Sequence, residues 1–432
     1  MRRVLLLRLG LLLGSLSLLG QGCVRTAPGP GPQLTVWGVF DDADTLQPLL
    51  GAFEKAQKRG RTKVEYRKIS PPDQYEEILS TALREGRGPD VFLIHASWVP
   101  RWAGALLPAP SDLVPLNAVR EEFVETVEND LVINGRVVAL PLFVDSLALY
   151  YNRDIFNASG IARPPRTWNE VHDVVRRTVQ FNPVERAQID QHGIAAGAGR
   201  NVNRAPDILS ALLLQKGETF YDSEGAVAFG AEERAQQALR FLTDFANPAK
   251  DVYTWQLTSD YSIDAFAEGE AAMMLNYSYH RPTVRAKNPR LNFAVAPFPQ
   301  VGETDPKDRR TYASYWAFAV SRASPNPQAA WELARFLTAE AAARDYLKRS
   351  GSPPARRDLV AELQNDPDIG VFAEQSLYAR TWRQSDNRVV DRVFTEALDD
   401  VVSGRDTVEG ALRRAAEQIQ AAAAALGRGS GQ

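Results

Sequence analysis

The stretch from Ile133 to Glu170, INGRVVALPLFVDSLALYYNRDIFNASGIARPPRTWNE, constrains the fold more than any other part of the chain. Asn134-Gly135 favours positive φ and marks a tight reversal. Val137 to Leu140 then run apolar into Pro141, which ends a strand, and a second apolar run follows from Ser146 to Tyr151. Between the two runs, Asp145 stands among Leu142, Phe143 and Val144, and a carboxylate in such company needs a partner or water. Asp145 is therefore expected to face a cleft. Pro164-Pro165 forces extended backbone, and Thr167 before Trp168-Asn169-Glu170 reads as a helix N-cap followed by an acidic first turn.

The ordered set N-G-x-V-x-A-x-P, L-Y-Y-N-R-D-I-F and P-P-x-T-W-x-E closely resembles the extracellular solute-binding proteins of ATP-binding-cassette importers, in their maltodextrin- and sugar-binding branch. The resemblance implies an α/β, two-lobed periplasmic-binding-protein fold, type II-like, with discontinuous lobes and a hinge. It continues through Ile263 to Tyr279, which is similar to the family's F-x-x-G-x-x-A-M run with a cleft aromatic after it, and through Gly351 to Arg356, similar to its G-x-x-P-A-R turn.

Residues 34–94 support a parallel sheet by their own pattern. Leu34 to Gly38 reads as a strand, Leu46, Leu49, Leu50 and Phe53 fall at helical spacing with Gly60 to close the helix, and Lys63 to Arg67 is the next strand. Tyr75, Ile78, Leu79, Ala82 and Leu83 form another helical stripe before the buried-looking strand Asp90 to Ile94. Such alternation implies right-handed crossovers, with ligands beyond the carboxyl ends of the strands. That places Trp37, Asp41, Asp42 and Trp98 near a cleft, although a purely structural role accounts for Trp37 equally well, whereas His95 reads as a structural histidine. Asn203 and Asp207 sit where a loop meets a helix start and are candidate ligand contacts, although capping is the preferred reading for Asp207. Tyr279, after the strand Ala271 to Leu275, is a candidate ligand contact, Tyr277 either shares that task or packs beneath it, and Tyr315, entering the strand Trp316 to Ser321, is a further candidate. Asp406 and Glu409 are spaced like a capping pair for the final helix.

The 432 residues, 44% hydrophobic and 24% charged, exceed what one core usually serves. The expected division is a signal over 1–22, a tether over 23–33, a first lobe from 34–129 and 311–348, a second from 130–310 and 349–426, and a flexible tail over 427–432. Met1-Arg2-Arg3, the Leu-rich run to Leu19 and the single cysteine, Cys23, resemble an export signal with a lipid-acceptor cysteine, although Gly20 stands where that pattern prefers Leu. Val24 to Gln33 is Pro- and Gly-rich and cannot build a core. Loss of Arg2, Arg3 and Arg8 with the signal takes the formal charge from −3 to −6, which disfavours nucleic acid as a partner. The protein is thus expected to be exported and lipid-anchored through Cys23 to the cell membrane, on its extracellular face or in the periplasm, beside a permease.

No metal-ligand spacing of His and Cys, no H-E-x-x-H and no G-x-S-x-G occurs, and Gly193 to Gly199 lacks a P-loop Lys, so neither metal nor nucleotide is expected as a cofactor. A glycosidase pair built from Asp41 and Asp145, or a surface accessory protein on the same fold, stays open. By resemblance to the maltodextrin-binding relatives, Asp41, Asp145 and Tyr279 occupy sugar-contacting positions. The relatives' lysine after the first carboxylate is Asp42 here, and Val389, Val390 and Asp391 replace a stacking aromatic. A carbohydrate is the expected solute, maltodextrin itself is in doubt, and a cationic solute drawn by Asp41, Asp42 and Asp145 stays open.

Overall fold

The computed structural model describes residues 31–57, 62–185, 188–303 and 305–429. The signal, Cys23, most of the tether, Gly60 and the last residues of the tail lie outside them. Two cores organise the described chain. The first surrounds a five-stranded sheet in the order Lys63–Lys68, Gln33–Gly38, Val91–His95, Trp316–Val320, Ala139–Pro141. Its first three strands pair in parallel and the last two join antiparallel. The sheet is covered by helices such as Ala43–Ala56, whose Leu46, Leu49, Leu50 and Phe53 are buried at the spacing read from the sequence. Burying each such side chain contributes about 1.5–3 kcal/mol.

The second core packs on an antiparallel sheet in which Ala148–Asn152 lies between Met273–Asn276 and Phe293–Ala296. Helix Trp168–Thr178 opens on the expected Thr167 cap, and Glu170 completes a reciprocal capping box. Helix Ser262–Glu268 stops at Gly269, whose φ of 86° a residue without Cβ adopts at little cost. The last helix, Val408–Gly429, is capped by the Thr407 hydroxyl, which accepts from the Gly410 N–H at 3.0 Å, and not by Asp406, which pairs with Arg414 instead.

Three short strands, Asp145–Ser146, Thr311–Ser314 and Ala379–Arg380, form a small sheet where the chain crosses between the cores. The crossings fall at places different from those expected. Leu131, Val137 to Leu140, Leu142 and Val144 all pack in the first core, as do Ala355, Leu359 and Val360, and the second core resumes at Phe372. The cause is the Asn134-Gly135 reversal, with φ of 50° and 72°, which turns Val132–Ile133 back onto Arg136–Val137 and feeds Ala139–Pro141 to the edge of the first sheet. The chain leaves that lobe only at Asp145.

Candidate functional site

A cavity of about 1100 Å³ lies between the lobes. Its first-lobe wall is aromatic. Phe40 meets Trp316 edge-on at 5.1 Å, and Trp316 meets Trp98 edge-on at 4.9 Å. Asp41 and Asp42, just past the first strand, line the same wall. The Tyr346 hydroxyl donates to Asp41 at 3.2 Å, yet burial pushes that carboxyl up to about 6. Asp42 holds Lys68 at 2.8 Å. His95 sits between Ser97 Oγ (2.7 Å) and Ser314 Oγ (3.1 Å), and burial, aided by the charge of Arg204, lowers it to about 3, so it is neutral near pH 7.

The second-lobe wall carries Tyr279, 43% exposed, with its ring stacked at 5.6 Å on the buried ring of Tyr277. Arg204 Nε donates to the Tyr279 hydroxyl at 2.9 Å. Asp207, in the first turn of helix Ala205–Gln215, accepts from the Tyr277 hydroxyl at 2.8 Å. Asp391, on helix Asn387–Val402, is raised to about 7, by burial first and by Asp207 second. Beside the cavity, Arg101 of the first lobe reaches Asp386 at 3.5 Å and Asn387 Oδ1 at 3.2 Å in the second.

Asp145 lines this cavity but is 1% exposed. Its Oδ1 accepts from the N–H groups of Ser146 (2.8 Å) and Ser278 (3.2 Å), and its Oδ2 accepts from the Ser278 N–H (3.0 Å) and Oγ (2.7 Å). Burial outweighs these donors and raises the carboxyl to about 6. The Ser278 N–H is shared by both oxygens, so three donors hold the carboxylate, and at 1% exposure it presents little surface to a reacting bond of the kind a glycosidase pair with Asp41 requires.

Of the residues singled out from the sequence, Asp41, Asp42, Trp98, Asp145 and Tyr279 line the cavity, and Trp37, Asn203, Tyr277 and Tyr315 do not. Trp37 is buried under the Arg67 guanidinium, 5.0 Å from the ring centroid, and Phe40, beyond the strand end, reaches the cleft instead. Tyr315 is buried and donates to Asp130 at 2.8 Å. Successive strand side chains face opposite ways, so its neighbour Trp316 takes the cleft position. Tyr277 supports Tyr279 from beneath. Asn203 donates to the Tyr261 hydroxyl at 2.7 Å and lines a separate pocket of about 260 Å³, which shares Arg204, Asp207 and Asp391 with the main cavity. Arg204, Trp316 and Phe40 were missed. A strand-end alternation count would have found Trp316, but nothing local marks Arg204.

Two lobes that enclose a cavity walled by aromatic faces and hydrogen-bonding side chains define a ligand-capturing protein. Residues 38–344 match the family described as bacterial extracellular solute-binding protein, and the chain belongs to it. It is similar to the maltotriose-binding protein of Pyrococcus abyssi, 23% identical over 299 residues, a match that covers 68% of this chain and only 60% of that protein. A probable ABC transporter-binding protein of Deinococcus radiodurans is 25% identical over 349 residues, covering 75% of this chain and 79% of the relative. Among solved structures, a cyclo/maltodextrin-binding protein complexed with maltotetraose superimposes with a TM-score of 0.74 at 22% identity over 91% of this chain and 98% of that one, which speaks for the fold.

Proposed function

We propose that the protein captures a neutral oligosaccharide between its lobes and hands it to the permease of an ABC importer. The observation that carries this reading is the facing of two apolar ring surfaces, Trp316 with Phe40 on one lobe and Tyr279 on the other, across a cavity that also presents Asp41, Asp391 and Arg204. Aromatic faces cover the C–H faces of pyranoses, and carboxylates and guanidinium bond their hydroxyls. A volume of about 1100 Å³ is at the upper end of ordinary ligand clefts and suits more than one sugar ring. A relative named as a maltotriose-binding protein and a solved structure complexed with maltotetraose support the class of solute. Ligand closes the lobes to the extent that it binds the closed arrangement better.

A thermal-shift panel of saccharides, polyols, polyamines and peptides tests the class, because a ligand at a hundredfold its Kd adds about 2.7 kcal/mol. Saccharides alone are expected to raise the melting temperature; a shift with polyamines alone would replace the sugar reading by a cationic one.

Cys23 is the proposed lipid acceptor, and the Pro- and Gly-rich segment after it is a tether that holds the body near the membrane. Stable anchoring needs more than one acyl chain. The Cys23→Ser protein is expected in the soluble fraction of fractionated cells, and its complete retention on membranes would contradict the anchor.

A further inference from the structure

Among the described residues, two that are not glycine adopt positive φ: Asn134, in a tight reversal that suits it, and Arg204, at φ 60° and ψ 26°. An arginine in the left-handed region carries strain of order 1 kcal/mol, which persists only where surrounding contacts fix it. Here the contacts are with ligand-facing groups. Arg204 Nε is spent on the Tyr279 hydroxyl at 2.9 Å, and the guanidinium carbon lies 5.8 Å and 5.9 Å from the Tyr277 and Tyr279 ring centroids. Among the described residues its two Nη groups donate to no protein acceptor, and the side chain lines both the main cavity and the small pocket beside it.

The charges around it are unevenly committed. Asp145 is held by Ser146 and Ser278, Asp207 by Tyr277, Asp130 by Tyr315 and Thr381, and Arg281 by Asp368. Asp42 is paired with Lys68, and Asp41 is held by Tyr346 of the same lobe. The Asp391 carboxylate, unlike its backbone carbonyl, accepts no protein hydrogen bond among the described residues, and Arg383 also lines the cavity. His95 faces Arg204 from the other lobe and is neutral.

We infer that Arg204 sets the specificity of this cleft: its free N–H pair, with Asp391 as the neighbouring acceptor, takes two adjacent hydroxyls of a neutral saccharide, and its charge excludes cationic solutes that the surrounding carboxylates would otherwise attract. A planar guanidinium presents two parallel donors at a spacing that matches a vicinal diol, which a point-like ammonium does not. Removing the charge leaves Asp207 and Asp391 without their neighbouring cation in a partly desolvated wall. The inference rests on the oligosaccharide reading given above for the saccharide half and is independent of it for the cation half.

The test measures binding of maltotriose and of spermidine to wild type, Arg204→Gln and Arg204→Lys, each with its unliganded melting temperature as a folding control. Arg204→Gln is expected to weaken maltotriose about tenfold and to gain a spermidine-induced thermal shift absent from wild type. Arg204→Lys, which keeps the charge and loses the fork, is expected to weaken maltotriose similarly without gaining spermidine, and it decides the geometric half should Arg204→Gln fail to fold. Unchanged maltotriose affinity in both variants, or no spermidine gain in a folded Arg204→Gln protein, overturns the inference. If wild type binds neither maltotriose nor any other saccharide of the thermal-shift panel, the oligosaccharide reading fails, and the spermidine gain alone decides the role of Arg204.

Discussion

Asp145→Ala lowers the free energy of unfolding by about 3–5 kcal/mol, because it leaves three buried donors, the N–H groups of Ser146 and Ser278 and the Ser278 hydroxyl, without an acceptor. Asp145→Asn keeps Oδ1 and the shape of the side chain and is expected to cost about 1 kcal/mol. The contrast between the two variants separates lost hydrogen bonds from lost charge. It also bears on function, since Asp145 lies on the strand where the chain leaves the first lobe and Ser278 begins the turn that presents Tyr279. Denaturant unfolding of the two proteins measures the difference. Equal stability of Asp145→Ala and wild type would mean that the crossing strand is not pinned by this residue.

Tyr279→Ala weakens saccharide binding by about 2 kcal/mol or more, roughly thirtyfold, while the unliganded melting temperature stays within a few degrees of wild type. The two halves of this expectation have one cause. The ring is 43% exposed and offers a face to the cavity, while its other face rests on Tyr277, which is fully buried and remains to fill the wall. Tyr277→Ala behaves oppositely by the same argument: it removes a buried ring and the partner of Asp207, and the fold suffers before the site does. Calorimetric titration with unfolding controls distinguishes them. A Tyr279→Ala protein that unfolds early yet binds with full affinity per folded molecule would make Tyr279 a core residue.

Much of this was legible in the residues themselves. The Thr167-Glu170 capping box, the Asn134-Gly135 reversal and the helical stripe from Leu46 to Phe53 are local signals, set by hydrogen bonds and periodicities within a few residues, and they recur in the structure. The isolation of Asp145 among apolar neighbours calls for a partner or water, and in the structure the partners are Ser146 and Ser278. What failed was long-range or a matter of one residue. Residues 130–144 looked like the start of the second lobe because nothing local distinguishes a strand that pairs with Trp316–Val320 from one that does not. Tyr315 and Trp316 are both aromatic, and which one faces the cavity is fixed by strand registry against Val91–His95. Arg204 carried no signal, because its left-handed backbone is imposed by packing and appears in no propensity.

The most direct measurement is a crystal structure of the protein grown with whichever oligosaccharide gives the largest thermal shift. The expected result is a sugar ring against the free face of Tyr279, two adjacent hydroxyls on the Arg204 Nη groups and Asp391, and a further ring against Trp316 and Phe40. A saccharide bound outside the cavity between the lobes, or inside it without touching Tyr279 or Trp316, would contradict the account.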